Sequence, residues 1–187
     1  MKTEFEVRVL NINVEKTQEK LMNLNAKLIF DRLQQRYVYD FNPKEENKWI
    51  RLRTNGENTT LTIKDLKSKS IDGTKELEIE VSDFEKTNMI LNELGYIPKG
   101  YQENRRIQYN LNGVEIDIDY WPLIPTYLEI EGNSEEEVYK TLELLDIKKE
   151  DITTNDVESI FLDYGIDLEK IYDLKLEEDR KWQYLKI

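Results

Sequence analysis

Apolar and charged residues alternate along several short stretches of the chain, which is the pattern of strands with two unlike faces. In residues 4–10, EFEVRVL, apolar side chains at positions 5, 7 and 9 alternate with charged ones at 4, 6 and 8. The same alternation occurs in residues 49–54, 59–65, 75–81, 104–111, 114–119 and 127–131. Together with the segment around residues 37–41, the pattern predicts about eight strands.

Turn dipeptides separate several of these strands. Asn55-Gly56 lies between the second and third alternating stretches, and Asn112-Gly113 between the fifth and sixth. Asn-Gly is the strongest short hairpin signal, and Asp72-Gly73 marks a further loop. Antiparallel connections are therefore expected.

Helical patterns fill the gaps between the strands, over residues 14–26, 83–94, 134–145 and 155–164. Ser82 or Asp83 caps the second helix, which ends at Gly95. Ser134, with Glu137 three residues later, forms a capping-box pattern at the start of the third. Residues 167–187 form a further amphipathic stretch. The sequence thus predicts an α+β fold.

The polar faces of the predicted strands are segregated by sign. Carboxylates concentrate at positions 4–6, 76–80, 115–119 and 129–131, and cations at 8, 51–53, 64 and 106. For a single strand, a solvated outer face explains a polar row. The whole set favours a closed barrel with a charged lumen, whose apolar faces point outward and are covered by helices. By the same parity, Arg105 and Lys75 are expected to face solvent.

Composition narrows the chemistry. The 187 residues carry 27 Lys and Arg against 39 Asp and Glu, a formal net charge of −12, which argues against general binding of nucleic acids or anionic membranes. The chain has no Cys and no His, so disulfides, thiolate nucleophiles and His-based catalysis are excluded. With no signal peptide or apolar membrane span recognised, a cytoplasmic protein is expected.

Two charged walls facing one lumen need counter-charges. Crowded carboxylates repel one another unless a cation neutralises them, and without His or Cys that cation is a hard one, Mg²⁺ or Mn²⁺. A polyphosphate would neutralise the Arg and Lys side chains.

The order of these motifs resembles that of the CYTH superfamily, the triphosphate tunnel metalloenzymes. Glu4-x-Glu6-x-Arg8 is similar to the family's N-terminal ExExK signature. The matching motifs that follow are Arg51-Leu52-Arg53, Thr62-Ile63-Lys64, Glu76-Leu77-Glu78, Asn104-x-Arg106-x-x-Tyr109, Asp117 with Asp119, and Glu129-x-Glu131. The resemblance covers roughly residues 1–165.

The resemblance implies an eight-stranded antiparallel β tunnel with helices packed outside, and one or two Mg²⁺ or Mn²⁺ ions. It implies a phosphate-binding set of Arg8, Arg51, Arg53, Lys64 and Arg106. The implied metal ligands are Glu4, Glu6, Glu129 and Glu131, with Glu76, Glu78 and Asp119 as further candidates. Glu6 and Arg8 are the implied catalytic residues, for attack on phosphorus.

Two positions depart from the family pattern. Arg8 stands where the family has Lys, and Asn104 replaces another Lys and so removes a positive charge. An alternative for Arg51 and Arg53 is a structural role as partners of Glu76 and Glu78. Arg36 and Tyr37 receive no assignment.

The first functional hypothesis is metal-dependent hydrolysis of a small-molecule triphosphate or nucleotide. A class IV adenylyl cyclase and a non-catalytic nucleotide or polyphosphate binder are the alternatives, and a monomer or homodimer is expected. Residues 1–165 are predicted to form the tunnel domain. Residues 166–187 are predicted to form an amphipathic helix packed outside it, with plugging of one tunnel end or dimerisation as the other possibilities.

Overall fold

A computed structural model describes residues 1–176, which form one curled, mainly antiparallel sheet with helices against its outer surface. The strands in this part of the chain are β1 Lys2–Thr3, β2 Phe5–Val9, β3 Lys27–Asp40, β4 Lys48–Thr54, β5 Thr59–Leu66, β6 Thr74–Val81, β7 Gly100–Leu111, β8 Val114–Tyr120, β9 Tyr127–Gly132, β10 Ile152–Thr153 and β11 Asp173–Leu174. The helices are α1 Val14–Asn23, α2 Phe84–Glu93, α3 Glu135–Leu144 and α4 Val157–Asp163.

The N-terminal segment contacts both ends of the long sheet. The strand order is β1-β6-β5-β4-β3-β7-β8-β9-β2-β10, with β11 added to β7. β1 pairs with β6, whereas β2, one residue further along, pairs with β9. The Glu4 amide between them donates to the Thr74 carbonyl oxygen at 3.0 Å. The antiparallel α+β prediction is confirmed, and closure into an eight-stranded barrel stays a prediction.

Helices cover much of the outer apolar face, as the alternation predicted. Leu21 of α1 and Val138 and Leu142 of α3 pack with the apolar residues of β2, β7, β8 and β9. Leu91 of α2 packs against β3 and β4. Burying apolar side chains between sheet and helix is the main stabilising contribution to such a fold. The charged faces of the strands are thereby left for the concave side of the sheet.

The helix caps follow the sequence signals. The Asp83 carboxylate accepts from the Lys86 amide at 2.8 Å, so Asp83 rather than Ser82 caps α2. Ser134 Oγ accepts from the Glu137 amide at 3.3 Å. Glu137 does not close a symmetrical capping box, because its carboxylate accepts from the Asn133 amide instead, at 2.8 Å.

Strand β3 is much longer than the five residues predicted. It begins at Lys27 and shifts register between Leu28 and Phe30, which breaks the simple alternation. Gln34 and Arg36 are buried on its concave face although both are polar. The first ten residues of this strand were missed because the register shift and the consecutive polar residues 34–36 interrupt the alternation.

The segment after α4 differs from the predicted helix. Residues 168–170 form one 3-10 turn, and Asp173–Leu174 pair in parallel with β7. Leu168 and Leu174 pack with Phe161 of α4. The remainder of the predicted helix, 177–187, lies outside the described residues, and the domain boundary at residue 165 stays a prediction.

The expectation for Arg105 was wrong. Its side chain is buried, its Nε donates to Asp31 at 2.7 Å, and its guanidinium lies 5.1 Å from the centre of the Tyr120 ring. The parity of β7 turns Arg105 away from the lumen, but neighbouring side chains cover it there. Lys75 is exposed, as expected. None of the helices within residues 1–176 has the length and apolar character that crossing a membrane requires.

Candidate functional site

The concave face of the sheet brings together most of the site residues predicted from sequence. The strands that contribute charged side chains to it are β2, β3, β4, β5, β6, β7, β8 and β9. Its buried or half-buried charged members are Glu4, Glu6, Arg8, Arg36, Arg51, Arg53, Lys64, Glu76, Arg106, Glu115, Asp117, Asp119, Glu129 and Glu131. The face therefore holds both signs of charge in partial isolation from water.

Arg106 is the centre of the most buried ion-pair network. Its Nε and Nη2 donate to the two Asp119 oxygens at 2.9 and 2.6 Å, and Nη1 donates to Asp117. Nη2 also lies 3.0 Å from Glu129. These charge-assisted bonds raise the pKa of Arg106 against the opposing effect of burial. Asp119 has no exposed surface and both of its oxygens are engaged, so it acts as an anchor for Arg106.

Arg8 of β2 forms ion pairs within its own strand and with the neighbouring strand β9. Its guanidinium lies 2.6 Å from Glu129 and 3.2 Å from Glu6, and its Nη1 donates to the Asn155 carbonyl oxygen at 2.9 Å. Asn155 lies just before α4, so the segment that follows the core strands contributes a backbone carbonyl group to the site. Burial alone would raise the pKa of Glu129, but Arg8 and Arg106 hold it below its ordinary value.

Lys64 and Arg51 form a second group of ion pairs. Lys64 Nζ lies 3.0 and 2.9 Å from the two oxygens of Glu4 and 3.3 Å from Glu76. Arg51 lies 3.4 Å from Glu76 and 3.6 Å from Glu78. Arg53 makes only a 3.9 Å contact with Glu78. The structural pairing considered as an alternative for Arg51 is thus present, whereas Arg53 is weakly neutralised.

Carboxylates stand directly opposite one another on three neighbouring strands. Glu6 of β2 is the register partner of Glu131 of β9, and Glu131 is also the partner of Glu115 of β8. Like charges placed opposite each other destabilise a sheet. Burial, only partly offset by Lys64, and then the neighbouring carboxylates raise the pKa of Glu4 to about 8 and that of Glu131 to about 7. We refer to Glu6, Glu131 and Glu115 as the acidic row.

These carboxylates do not form a preassembled metal centre. Nowhere in residues 1–176 do three acidic side chains come together in an arrangement that could hold a metal ion. Glu4 and Glu129 are occupied by Lys64 and by the two arginines, and Glu78 lies at the edge of the site with its side chain 32% exposed. The donor atoms are nevertheless all carboxylate oxygens, which suit Mg²⁺ or Mn²⁺.

Two cavities meet inside the curled sheet. Arg51, Lys64, Arg106 and Glu129 line both of them. One cavity extends past the acidic row toward Glu4, and the other extends toward α4 and the turn after it. The ion pairs at the shared wall therefore separate two openings of one charged interior.

The opening near α4 has an aromatic lining that the sequence analysis missed. Trp49, Trp121 and Tyr127 contribute to it, and Trp121 Nε1 donates to Tyr127 Oη at 2.9 Å. Val157 of α4 and Leu168 of the turn after it also line this opening. Trp121 follows a strand without being part of the alternation, so periodicity offered no signal for it. Helix α4 and the turn after it therefore cover part of this opening.

A comparison with models of protein families shows to which family the chain belongs. The model of the CYTH domain matches residues 2–155. The chain belongs to the CYTH domain family. The predicted resemblance is therefore confirmed, and the CYTH domain accounts for most of the chain.

Solved structures share the fold of this CYTH domain. The protein PH1012 from Pyrococcus horikoshii OT3 is 25% identical with a TM-score of 0.71, over 82% of this chain and 96% of that one. A candidate adenylate cyclase from Vibrio parahaemolyticus has a TM-score of 0.73 at 12% identity, over 86% and 98%.

A third structure, from Hippeastrum, is of a candidate adenylyl cyclase with a dominant triphosphatase activity. Its TM-score is 0.58 at 16% identity, over 89% of this chain and 97% of that one. At such identities the second and third likenesses concern the fold. No curated protein has a sequence that matches this chain.

Proposed function

We propose that this CYTH protein binds a small-molecule triphosphate inside a closed β tunnel and hydrolyses it with Mg²⁺ or Mn²⁺. The observation that carries the proposal is that Glu131 and Glu115 of the acidic row, with Glu6 beside Glu131 in register, face a set of buried or half-buried Arg and Lys side chains across one cavity. Each wall repels itself, and a metal–triphosphate complex neutralises both walls at once. The N-terminal segment, bonded to β6 and to β9, would close the tunnel.

The phosphate-binding group in this proposal is Arg51, Arg53, Lys64 and Arg106, with Arg8. The arginines offer forked donors that match phosphate oxygens, and Lys64 offers a compact charge. Arg53 needs the least rearrangement because its contact with Glu78 is only 3.9 Å. Burial and the charges of Arg51 and Arg106 lower the pKa of Arg53 to about 10, so a bound anion would stabilise its protonated form.

The metal ligands in this proposal are Glu4, Glu6 and Glu131, with Glu129 and Glu76 as nearby carboxylates. Burial, and after it the neighbouring carboxylates, raises the pKa of Glu4 and of Glu131 more than Lys64 lowers it, so a bound cation would favour their ionised forms. Mg²⁺ or Mn²⁺, when bound, would act as a Lewis acid that offsets the charge on the phosphoryl oxygens. Binding of the triphosphate favours binding of the metal ion, because phosphate draws Lys64 away from Glu4 and so frees the Glu4 carboxylate.

The chemical step in this proposal is the attack of water on phosphorus. The water oxygen bonds to the terminal phosphorus as the bridging P–O bond breaks, which releases orthophosphate and the shortened product. Glu6 receives the proton that the water loses. Arg8, held by Glu129 and by the Asn155 carbonyl, orients Glu6 through their 3.2 Å contact. Arg8 keeps its proton throughout, since an arginine does not act as an acid near neutral pH.

Phosphate release tests the proposal. The purified chain is incubated with tripolyphosphate, ATP and other organic triphosphates, with Mg²⁺, with Mn²⁺ and with a chelator. We expect metal-dependent release of orthophosphate from at least one substrate, and its loss in Glu6→Gln. Lys75→Gln, which removes an exposed charge from the opposite face of β6, is the matched control and should keep full activity.

The same reactions separate the alternative functions. Cyclic AMP with diphosphate from ATP would replace the hydrolase by an adenylyl cyclase. Calorimetric binding of a triphosphate without turnover by any metal would indicate a non-catalytic binder. A folded chain that neither binds nor converts any triphosphate would contradict the proposal.

A further inference from the structure

Arg36 is a buried cation that the proposed phosphate-binding group leaves out. It is 5% exposed and lines the same cavity as Arg51 and Arg106. Its Nη2 donates to the side-chain oxygens of Gln34, at 3.2 Å, and of Asn104, both of which are neutral. Its Nε has no hydrogen-bond partner among the described residues. A buried donor without a partner costs free energy, and a bound ligand that accepts a hydrogen bond from it would remove that cost.

The charge of Arg36 is opposed by another charge of the same sign. Arg36 of β3 is the direct register partner of Arg53 of β4. Like charges opposite each other in a sheet are destabilising. Within residues 1–176 no carboxylate forms an ion pair with Arg36, and Arg53 has only its 3.9 Å contact with Glu78. Burial and the charges of Arg51, Arg53 and Arg106 lower the pKa of Arg36 well below its ordinary value.

The neighbours of Arg36 hold it in a fixed position. Its guanidinium lies 4.5 Å from the centre of the Trp121 ring, and Asn104, which accepts from Nη2, donates in turn to Asp119 at 2.8 Å. Asp119 also anchors Arg106. Arg36, Arg51 and Arg106 thus line one cavity, with Arg36 fixed in position. A planar fork held in this way is preorganised for an anion.

We propose that Arg36 is a further phosphate-binding residue, which with Arg51 and Arg106 holds the part of the triphosphate nearest to the Trp121 opening. Its guanidinium donates to Asn104, so the cation lies beside a neutral side chain of the neighbouring strand β7. This inference rests on the proposed function, since it needs a triphosphate in the cavity. It extends the phosphate-binding wall onto β3, from which the sequence analysis assigned no site residue.

The test measures tripolyphosphate binding by calorimetry in the presence of a chelator, so that metal binding and turnover do not contribute. We expect Arg36→Gln to weaken binding by about 10–100-fold, the range expected for loss of charge-assisted hydrogen bonds. Arg32→Gln is the matched control on the same strand, because Arg32 is half-exposed and paired with Glu57 at 2.5 Å. It should bind within about twofold of the unmodified chain on the scale of a surface ion pair.

Two further measurements exclude a purely structural role for Arg36. Without ligand, Arg36→Gln should unfold at the same temperature as the unmodified chain or higher, because a repelling charge has been removed. The double variant Arg36→Gln/Asn104→Lys returns the charge from β7 and should recover most of the binding. A destabilised Arg36→Gln whose binding the second substitution does not restore would overturn the inference.

The outcomes separate the two proposals. If Arg36→Gln binds tripolyphosphate as tightly as the unmodified chain does, this inference alone is overturned and the proposed function still stands. An unmodified chain with no affinity for any triphosphate would overturn both. If Arg36→Gln fails to fold, the expected stability is already contradicted.

Discussion

Lys64 Nζ lies within 3.0 Å of both carboxylate oxygens of Glu4, and this pair joins the basic and acidic walls of the interior. Glu4 nevertheless has a raised pKa, because burial and the neighbouring carboxylates outweigh the single cation. The walls therefore neutralise each other only in part. Such an arrangement favours the exchange of internal ion pairs for a bound anion and a bound cation.

Stability should fall as the pH rises. The pKa of Glu4 is about 8 and that of Glu131 about 7 in the folded protein, against 4.5 ordinarily. The folded state therefore holds protons that the unfolded chain has released between about pH 4.5 and pH 8, and it loses this advantage across that window. We expect the free energy of unfolding, measured in urea, to decrease by about 1–3 kcal/mol from pH 5 to pH 8.

Glu4→Gln provides the control for this pH dependence. The amide cannot titrate, so the slope between pH 5 and pH 8 should become shallower. Glu136→Gln, on the exposed surface of α3, should leave the slope unchanged. An equal slope in all three chains would mean that groups other than Glu4 set the pH dependence.

Removal of one charge from the acidic row should separate activity from stability. In Glu131→Gln we expect metal-dependent phosphate release to fall by at least about 100-fold, an effect of the size seen when a residue supporting transition-state charge is lost. The midpoint of thermal unfolding should stay the same or rise, because Glu131 no longer repels Glu6 and Glu115. Full activity in this variant would remove Glu131 from the metal ligands.

Loss of Arg106 should have the opposite effect on stability. Asp117, Asp119 and Glu129 would then share a buried region without their common partner. Removing one member of a buried ion pair costs about 3–5 kcal/mol. Arg106→Gln should therefore unfold at much lower urea concentration than the unmodified chain. A change below about 1 kcal/mol, the size of a surface pair, would contradict the description of this network.

Much of the fold was predictable because each strand alternates regularly. Strands β4 to β9 were placed within a few residues, since alternation, turn dipeptides and caps indicated the same boundaries, whereas the two-residue strands β10 and β11 were not predicted. The first part of β3 was missed because its register shift, and the polar Gln35 between Gln34 and Arg36, interrupt the alternation. The C-terminal helix was predicted from an apolar period that, over residues 166–176, serves a turn and an added strand instead.

The candidate site was predictable in its charges but not in their partners. Parity placed Arg8, Lys64 and Arg106 on one face, because successive side chains of a strand point to opposite sides. Which carboxylate each cation contacts depends on strand order and register, which no local pattern encodes. The use of Asp119 to hold Arg106, and of Trp121 to support Arg36, depends on contacts between strands that only the folded sheet brings together.

The central claim is tested most directly by a crystal structure of the chain with a non-hydrolysable triphosphate analogue and Mn²⁺, located by its anomalous scattering. We expect the phosphates on Arg51, Arg53 and Lys64, the Lys64–Glu4 pair broken, and Mn²⁺ bound by carboxylates that include Glu6 or Glu131. An analogue and Mn²⁺ found only on the outer surface, with Lys64 still paired to Glu4, would contradict the account.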